Sequence, residues 1–164
     1  MGQGSIPNCY QTISVPYVVG DEDGSLTAAI VSEIEKNGGL AYSNGAGQLK
    51  LTVKIVDLRD QNIGFRYDRD SRDRLTDSII PTETRLTAAA EICLIECLTG
   101  KVLIGPLIIS ANVDFDHDFY SSRNGINIFS LGQLTDIDAA RDSVKVPLNE
   151  TLAKKIVEYI NESW

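Results

Sequence analysis

The stretch QLKLTVKIVD, Gln48 to Asp57, sets Leu49, Leu51, Val53 and Ile55 in alternation with Lys50, Thr52 and Lys54. A period of two puts the aliphatic set on one face of an extended chain and the polar set on the other. The stretch therefore reads as a strand with one buried and one wet face. RLTAAAEICLIEC, Arg85 to Cys97, repeats the pattern through Leu86, Ala88, Ala90, Ile92 and Leu94. LTGK, Leu98 to Lys101, then forms a tight hairpin turn with Gly100 at the position of positive φ. VLIGPLIISANVD, from Val102, returns as the partner strand, and Pro106, which has no N–H, argues for an edge or a bulge.

Upstream, QTISVPYVV (Gln11 to Val19) is rich in β-branched and aromatic residues and reads as a further strand. The turn GDEDG follows, and Asp23 or Ser25 can cap a helix running through Lys36, with Asp21, Glu22 and Asp23 favouring its positive end. Leu26, Ile30 and Ile34 recur at helical spacing on one stripe, and Gly38 or Gly39 can end the helix in the left-handed conformation. The C-terminal third is also helical: TDIDAARDSVKV opens from an Asp or Thr cap. Pro147 can stand at the first position of a new or kinked helix, and Leu148, Leu152, Ile156 and Ile160 form its apolar stripe. The order β-α-β-β-β-α predicts an α+β fold, a two-layer sandwich of two main helices on one face of a four-stranded mixed sheet. Residues 1–10 read as a flexible N-terminal segment and residues 11–164 as a single domain. The other sheet face is left polar and uncovered.

A chain of 164 residues with 43% hydrophobic and 23% charged residues suits one globular domain. A net charge of −8 argues against general nucleic-acid binding, which needs a basic face. No apolar run reaches the roughly 20 residues of a membrane span. The first residues, MGQGSIPNCYQ, lack a charged-then-apolar leader, which leaves either a cytoplasmic protein or one whose leader is processed away. Cys93 and Cys97, set about 13 Å apart along one face of a strand, are too far apart for a disulfide and read as small buried hydrophobes.

Two stretches hold candidate chemistry. VDFDHDFYSSRNG, Val113 to Gly125, brings Asp114, Asp116 and Asp118 close to His117, the only histidine. Such a set suits a small hydrolase using a divalent metal at Asp114, Asp116 and His117. Strand alternation, however, puts the aspartates on one face and His117 on the other, so the plainer reading is a polar strand end without metal. RDQNIGFRYDRDSRDR carries Arg59, Arg66, Arg69, Arg72 and Arg74, five of the eight arginines. Guanidinium forks suit phosphate and carboxylate oxygens, whereas the interleaved aspartates suit a solvated loop with local ion pairs. No Gly-rich phosphate loop, nucleophile elbow or Cys/His pair is present, so the expectation is a protein that is not an enzyme and takes no cofactor.

The span TISVPYVVGDEDGSLTAAIVSEIEKNGGLAYS, followed by the alternating strand, the Arg-bearing connection, the TGK hairpin and a terminal helix, resembles LptE. LptE is the outer-membrane lipoprotein family of lipopolysaccharide assembly, and the resemblance covers residues from about 11 to 161. It rests on element order and on Gly20, Asp21, Gly24 and Leu26. It implies a helix-covered mixed sheet that plugs an LptD-type β-barrel on the periplasmic side of the outer membrane, binds lipopolysaccharide and performs no turnover. A Phe-Arg pair of the family corresponds to Phe65-Arg66, so Arg66 is the implied lipopolysaccharide contact. Arg69 lies in the same cluster. The family's second basic contact falls near Gln133, with Arg123 just upstream as a substitute. The acylated cysteine that opens the family's mature chain corresponds to Cys9, although SIPN before it departs from the apolar-then-small pattern of a lipobox. A ligand-free interaction domain of the periplasm or cytoplasm is the remaining alternative.

Overall fold

The computed structural model describes residues 9–37, 39–69, 75–116 and 130–163, with side chains left undescribed at 62, 64–69, 75–82, 116 and 130–142. Its elements are β1 (Thr12–Ser14), α1 (Ser25–Asn37), β2 (Ala41–Tyr42), β3 (Leu49–Arg69), β4 (Leu75–Glu96), β5 (Val102–Asp116) and α2 (Ser130–Glu162). The strands form one five-stranded sheet in the order β2-β1-β3-β4-β5. β1 runs parallel to both β2 and β3, and the last three strands form an antiparallel meander. The expected two-layer α+β sandwich with a mixed sheet is the observed fold. Its sheet has one strand more than expected, because β2 is only two residues long and has no periodicity to detect.

The alternation of Gln48 to Asp57 gives the first wall of the core. Leu49, Leu51 and Val53 are buried, and so are Leu86, Ala88, Ala90, Ile92 and Leu94 opposite them on β4. On β5, Ala111 is buried, while Ile109, Val113 and Phe115 pack against the core. The helical layer supplies the other wall with Leu26, Ile30 and Ile34 of α1 and Leu148, Leu152, Ala153, Ile156, Val157 and Ile160 of α2. Each fully buried Leu or Ile contributes about 1.5–3 kcal/mol of burial. Ala88, Ala90 and Ala153 are small enough to let α2 approach the sheet closely.

β5 is an edge strand, as Pro106 requires. The Gly105–Pro106 peptide bond is cis and Gly105 has φ 91°. A Cβ there would sit 2.3 Å from the Ile92 carbonyl oxygen, so only glycine fits. The register with β4 shifts at this point, between Ile92 and Leu94. The β4–β5 turn is tight as well: Gly100 N–H donates to Glu96 O at 2.8 Å with φ 74°.

Three details differ from the sequence reading. The cap of α1 is shared: Asp23 takes the Ser25 N–H at 3.1 Å, as expected, and the larger part falls to Asp21. Its buried carboxylate accepts from Leu26 N–H (3.3 Å), Thr27 N–H (2.8 Å) and the Thr27 hydroxyl (2.8 Å), satisfying donors left over at the helix start. Asp23 also accepts from the Ser25 hydroxyl. Gly38 lies outside the described residues, and Gly39 does not take the left-handed conformation. Pro147 lies inside the single helix α2 instead of opening a new one, and its carbonyl accepts the Thr151 hydroxyl at 2.8 Å. Replacing Asp21 by Ala strands two amides and a hydroxyl, so Asp21→Ala is expected to lose about 1–2 kcal/mol in urea unfolding, and Glu22→Ala close to nothing.

Candidate functional site: the β-arm and its base

The stretch from Arg59 to Arg74 suited a solvated, Arg-bearing loop; its described part, as far as Arg69, is instead the outer half of β3, paired with β4. β3 and β4 pair from Leu49↔Glu96 to Arg69↔Leu75. At roughly 3.4 Å per residue the 21 residues of β3 extend about 70 Å. β5 accompanies β4 only as far as Glu83↔Asp116, so from Phe65↔Pro81 outward the ribbon is two strands wide among the described residues. Among the described residues Pro81 has no β5 partner, the edge setting in which a residue without N–H is tolerated. Register shifts at Ile55/Asp57, Asn62/Gly64, Gly64/Phe65 and Tyr67/Arg69 break the ladder and raise its local twist. Arg66 stands opposite Ile80 on this arm, and Arg69 opposite Leu75. Arg123 lies outside the described residues.

The reason for the missed strand is physical. Asp57, Leu58, Arg59, Asp60 and Gln61 are all exposed, so no apolar face is demanded there and the period-two signal disappears while the backbone pairing continues. The bulge at Ile55/Asp57 also shifts the alternation by one residue.

The aspartates of the last strand are used differently from a metal centre. Arg85 Nε and Nη2 donate to the two carboxylate oxygens of Asp114 at 2.7 and 3.0 Å, a fork-to-fork pair across β4 and β5 on the uncovered sheet face. That guanidinium holds the Asp114 carboxyl below the usual carboxylate range. Asp116 pairs through its backbone with Glu83, and His117 and Asp118 lie outside the described residues. Among the described residues no three His, Cys, Asp or Glu side chains are grouped to hold a metal ion.

At the base of the arm, a cavity of about 330 Å³ opens between the GDEDG turn, β3, β4 and α2. Ile55, Leu58, Leu148 and Leu152 give it an aliphatic lining, and Glu22 and Asp23 an acidic rim. Lys145 and Asn149 lie on the α2 side, with Asn149 Nδ2 donating to Ser25 Oγ at 3.0 Å. The Ser25 hydroxyl and amide donate to Asp23 and, with Lys145 nearby, hold its carboxyl below the usual range. No sequence signal pointed to this cavity, because its walls come from four distant segments.

The opposite end of the sheet carries Cys9, an exposed free thiol, as is Cys97; Cys93, half-buried, is free too. Tyr10, the last residue of the segment read as a flexible N-terminus, packs on the core. The Tyr10 hydroxyl donates to Glu96, whose other carboxylate oxygen accepts from Thr99 Oγ1 at 2.8 Å. Cys97 N–H donates to Gln48 O at 2.9 Å, so Cys9 and Cys97 border one groove beside the start of β3, far from Arg66.

No protein-family model matches the chain, and no curated protein matches it in sequence. Solved structures do share its fold. A minor lipoprotein of Acinetobacter baumannii aligns with TM-score 0.50 and 12% identity over 93% of this chain and 91% of that one. A candidate lipoprotein of Caulobacter crescentus aligns with TM-score 0.54 and 13% identity over 91% and 87%. An uncharacterised lipoprotein B of Nitrosomonas europaea aligns with TM-score 0.50 and 10% identity over 98% and 88%. The fold is thus one that bacterial lipoproteins adopt.

The Tyr10–Glu96 bond gives a pH-dependent readout. It holds the Glu96 carboxyl low and, acting first through the hydrogen bond and then through desolvation, pushes the Tyr10 phenol from 10.0 up to about 12. The raised phenol favours the folded state below the ordinary tyrosine range, and this contribution fades as pH climbs through the raised value. In a spectrophotometric titration, one of the six tyrosines is expected to ionise near 12, and Glu96→Gln should bring it back toward 10.0.

Proposed function

We propose that the protein is a non-catalytic envelope component of LptE type, which binds lipopolysaccharide through its β-arm and partners an LptD-like outer-membrane β-barrel. One observation carries this reading. Phe65 and Arg66, the pair singled out by the resemblance, belong to the outer part of the β3–β4 ribbon, which among the described residues extends past the last pairing with β5 at Glu83↔Asp116. An arginine on such a projection can meet an anionic headgroup without displacing any of the core. Guanidinium suits this because its planar fork bonds two phosphate oxygens at once. Arg69, three residues further along β3, and Arg123 are proposed to share the contact.

The geometry also supports a division of ends. Cys9, the proposed acyl anchor, stands beside the Gln48 end of the sheet, whereas Arg66 sits 17 residues along β3 from Leu49, a run of about 58 Å at full extension. A chain held at Cys9 would present its arm away from its own lipid. The fold shared with bacterial lipoproteins supports the same compartment, the periplasmic side of the outer membrane. The pairing of Asp114 with Arg85 weakens the metal-hydrolase alternative, since it occupies both oxygens of one required ligand.

The test is a pull-down and titration with lipopolysaccharide. Arg66→Glu is expected to weaken binding by about tenfold or more while the melting temperature stays level, and Arg66→Glu with Arg69→Glu to weaken it further. Unchanged binding in the double variant removes the arm from the site.

A further inference from the structure

Among the described residues one edge of β3 is left unpaired, beside the cavity at the base of the arm. β1 covers β3 at Leu49 and Lys50. Val19 continues the cover, donating to Val53 O at 3.0 Å and accepting from Ile55 N–H at 2.9 Å. The chain then turns away at Gly20, which has φ 91° and lies so close to Ile55 that a Cβ would come within 3.3 Å of its side chain. From Val56 outward no described strand pairs with β3 on this side. An open strand edge is a template for an added strand. Here the template begins at a cavity with an aliphatic lining, and Val56 and Leu58 on the same segment are 41% and 52% exposed.

We infer that this β3 edge and the cavity at its start form a docking site for an extended peptide segment of a partner protein in which basic and aliphatic side chains alternate. Main-chain hydrogen bonds to the edge would supply affinity, and alternate side chains would supply choice: an aliphatic one in the cavity, a basic one at its rim. The basic preference follows from charge. Glu22 and Asp23 face the cavity with Lys145 as the nearby cation, and on β3 the exposed Asp57 offsets Arg59 at 3.5 Å. With a net charge of −8, two copies meeting edge to edge would juxtapose acidic rims, which disfavours self-pairing. This docking edge is separate from Arg66 and stands whether or not the arm meets a glycolipid.

Fluorescence anisotropy on the full chain tests it with a labelled octapeptide of alternating Lys and Val. The Lys–Val peptide should bind, and its Glu–Val counterpart should bind at least about tenfold more weakly. Methylating alternate backbone nitrogens removes the edge hydrogen bonds but keeps every side chain, and should likewise cost about tenfold. Leu58→Asp and Glu22→Lys, both at exposed positions, should each weaken binding by a similar factor without lowering the melting temperature. Equal binding of the two charge types, full binding of the methylated peptide, full binding to both variants, or no binding at all overturns the proposal. So does a dimer in sedimentation that Leu58→Asp dissolves, since a second copy would then be the occupant.

Discussion

The helical layer is shorter than the strands it covers, and the rest of the molecule follows from that mismatch. An α-helix advances about 1.5 Å per residue and an extended strand about 3.4 Å, so the 13 residues of α1 cover some 20 Å and the 33 of α2 about 50 Å, while β3 and β4 run about 70 Å. Burial keeps to the covered part. Among the described side chains of β3 the last buried one is Val53, and Leu58 is half open to solvent. Past that point the backbone pairing of β3 with β4 continues out to Arg69↔Leu75. A sheet of this kind has two ends of different character: one packed under the helices, the other a paired ribbon extending beyond it.

The same mismatch accounts for what could be read from residues alone. Wherever one face is covered, side chains alternate, and the strand at Gln48–Asp57, the strand before Cys97 and both helical stripes were legible for that reason. The arm was not, because Asp57 to Gln61 meet water throughout and nothing forces a period on them. Pairing across β4 and β5 was hidden by a different cause. Counting back from the turn alone puts Asn112 opposite Arg85. Two register shifts, one between Leu94 and Ile95 and one at Gly105–Pro106, add one position each, so Asp114 takes that place, and the acidic strand end becomes half of an ion pair. The aspartate cluster was visible; its partner depended on those shifts.

The cavity at the arm's base belongs to a third class. Its lining comes from the turn before α1, from β3 and β4, and from α2, so no local pattern announces it. The one local sign was the run Asp21, Glu22, Asp23, whose members separate once folded. Asp21 is buried as a helix cap, and its neighbours face the cavity. A single acidic tripeptide thus serves both the helix start and the rim.

In the proposed function, ligand contact is made by the projecting ribbon and not by the helix-covered domain. Hydrogen–deuterium exchange with and without lipopolysaccharide tests this most directly. The account predicts that added lipopolysaccharide slows exchange in Phe65–Arg69 and in the facing stretch from Leu75 to Ile80, while Leu86–Leu94 and α2 exchange as before. Protection confined to the helical layer, or no change along the arm at saturating ligand, would contradict it.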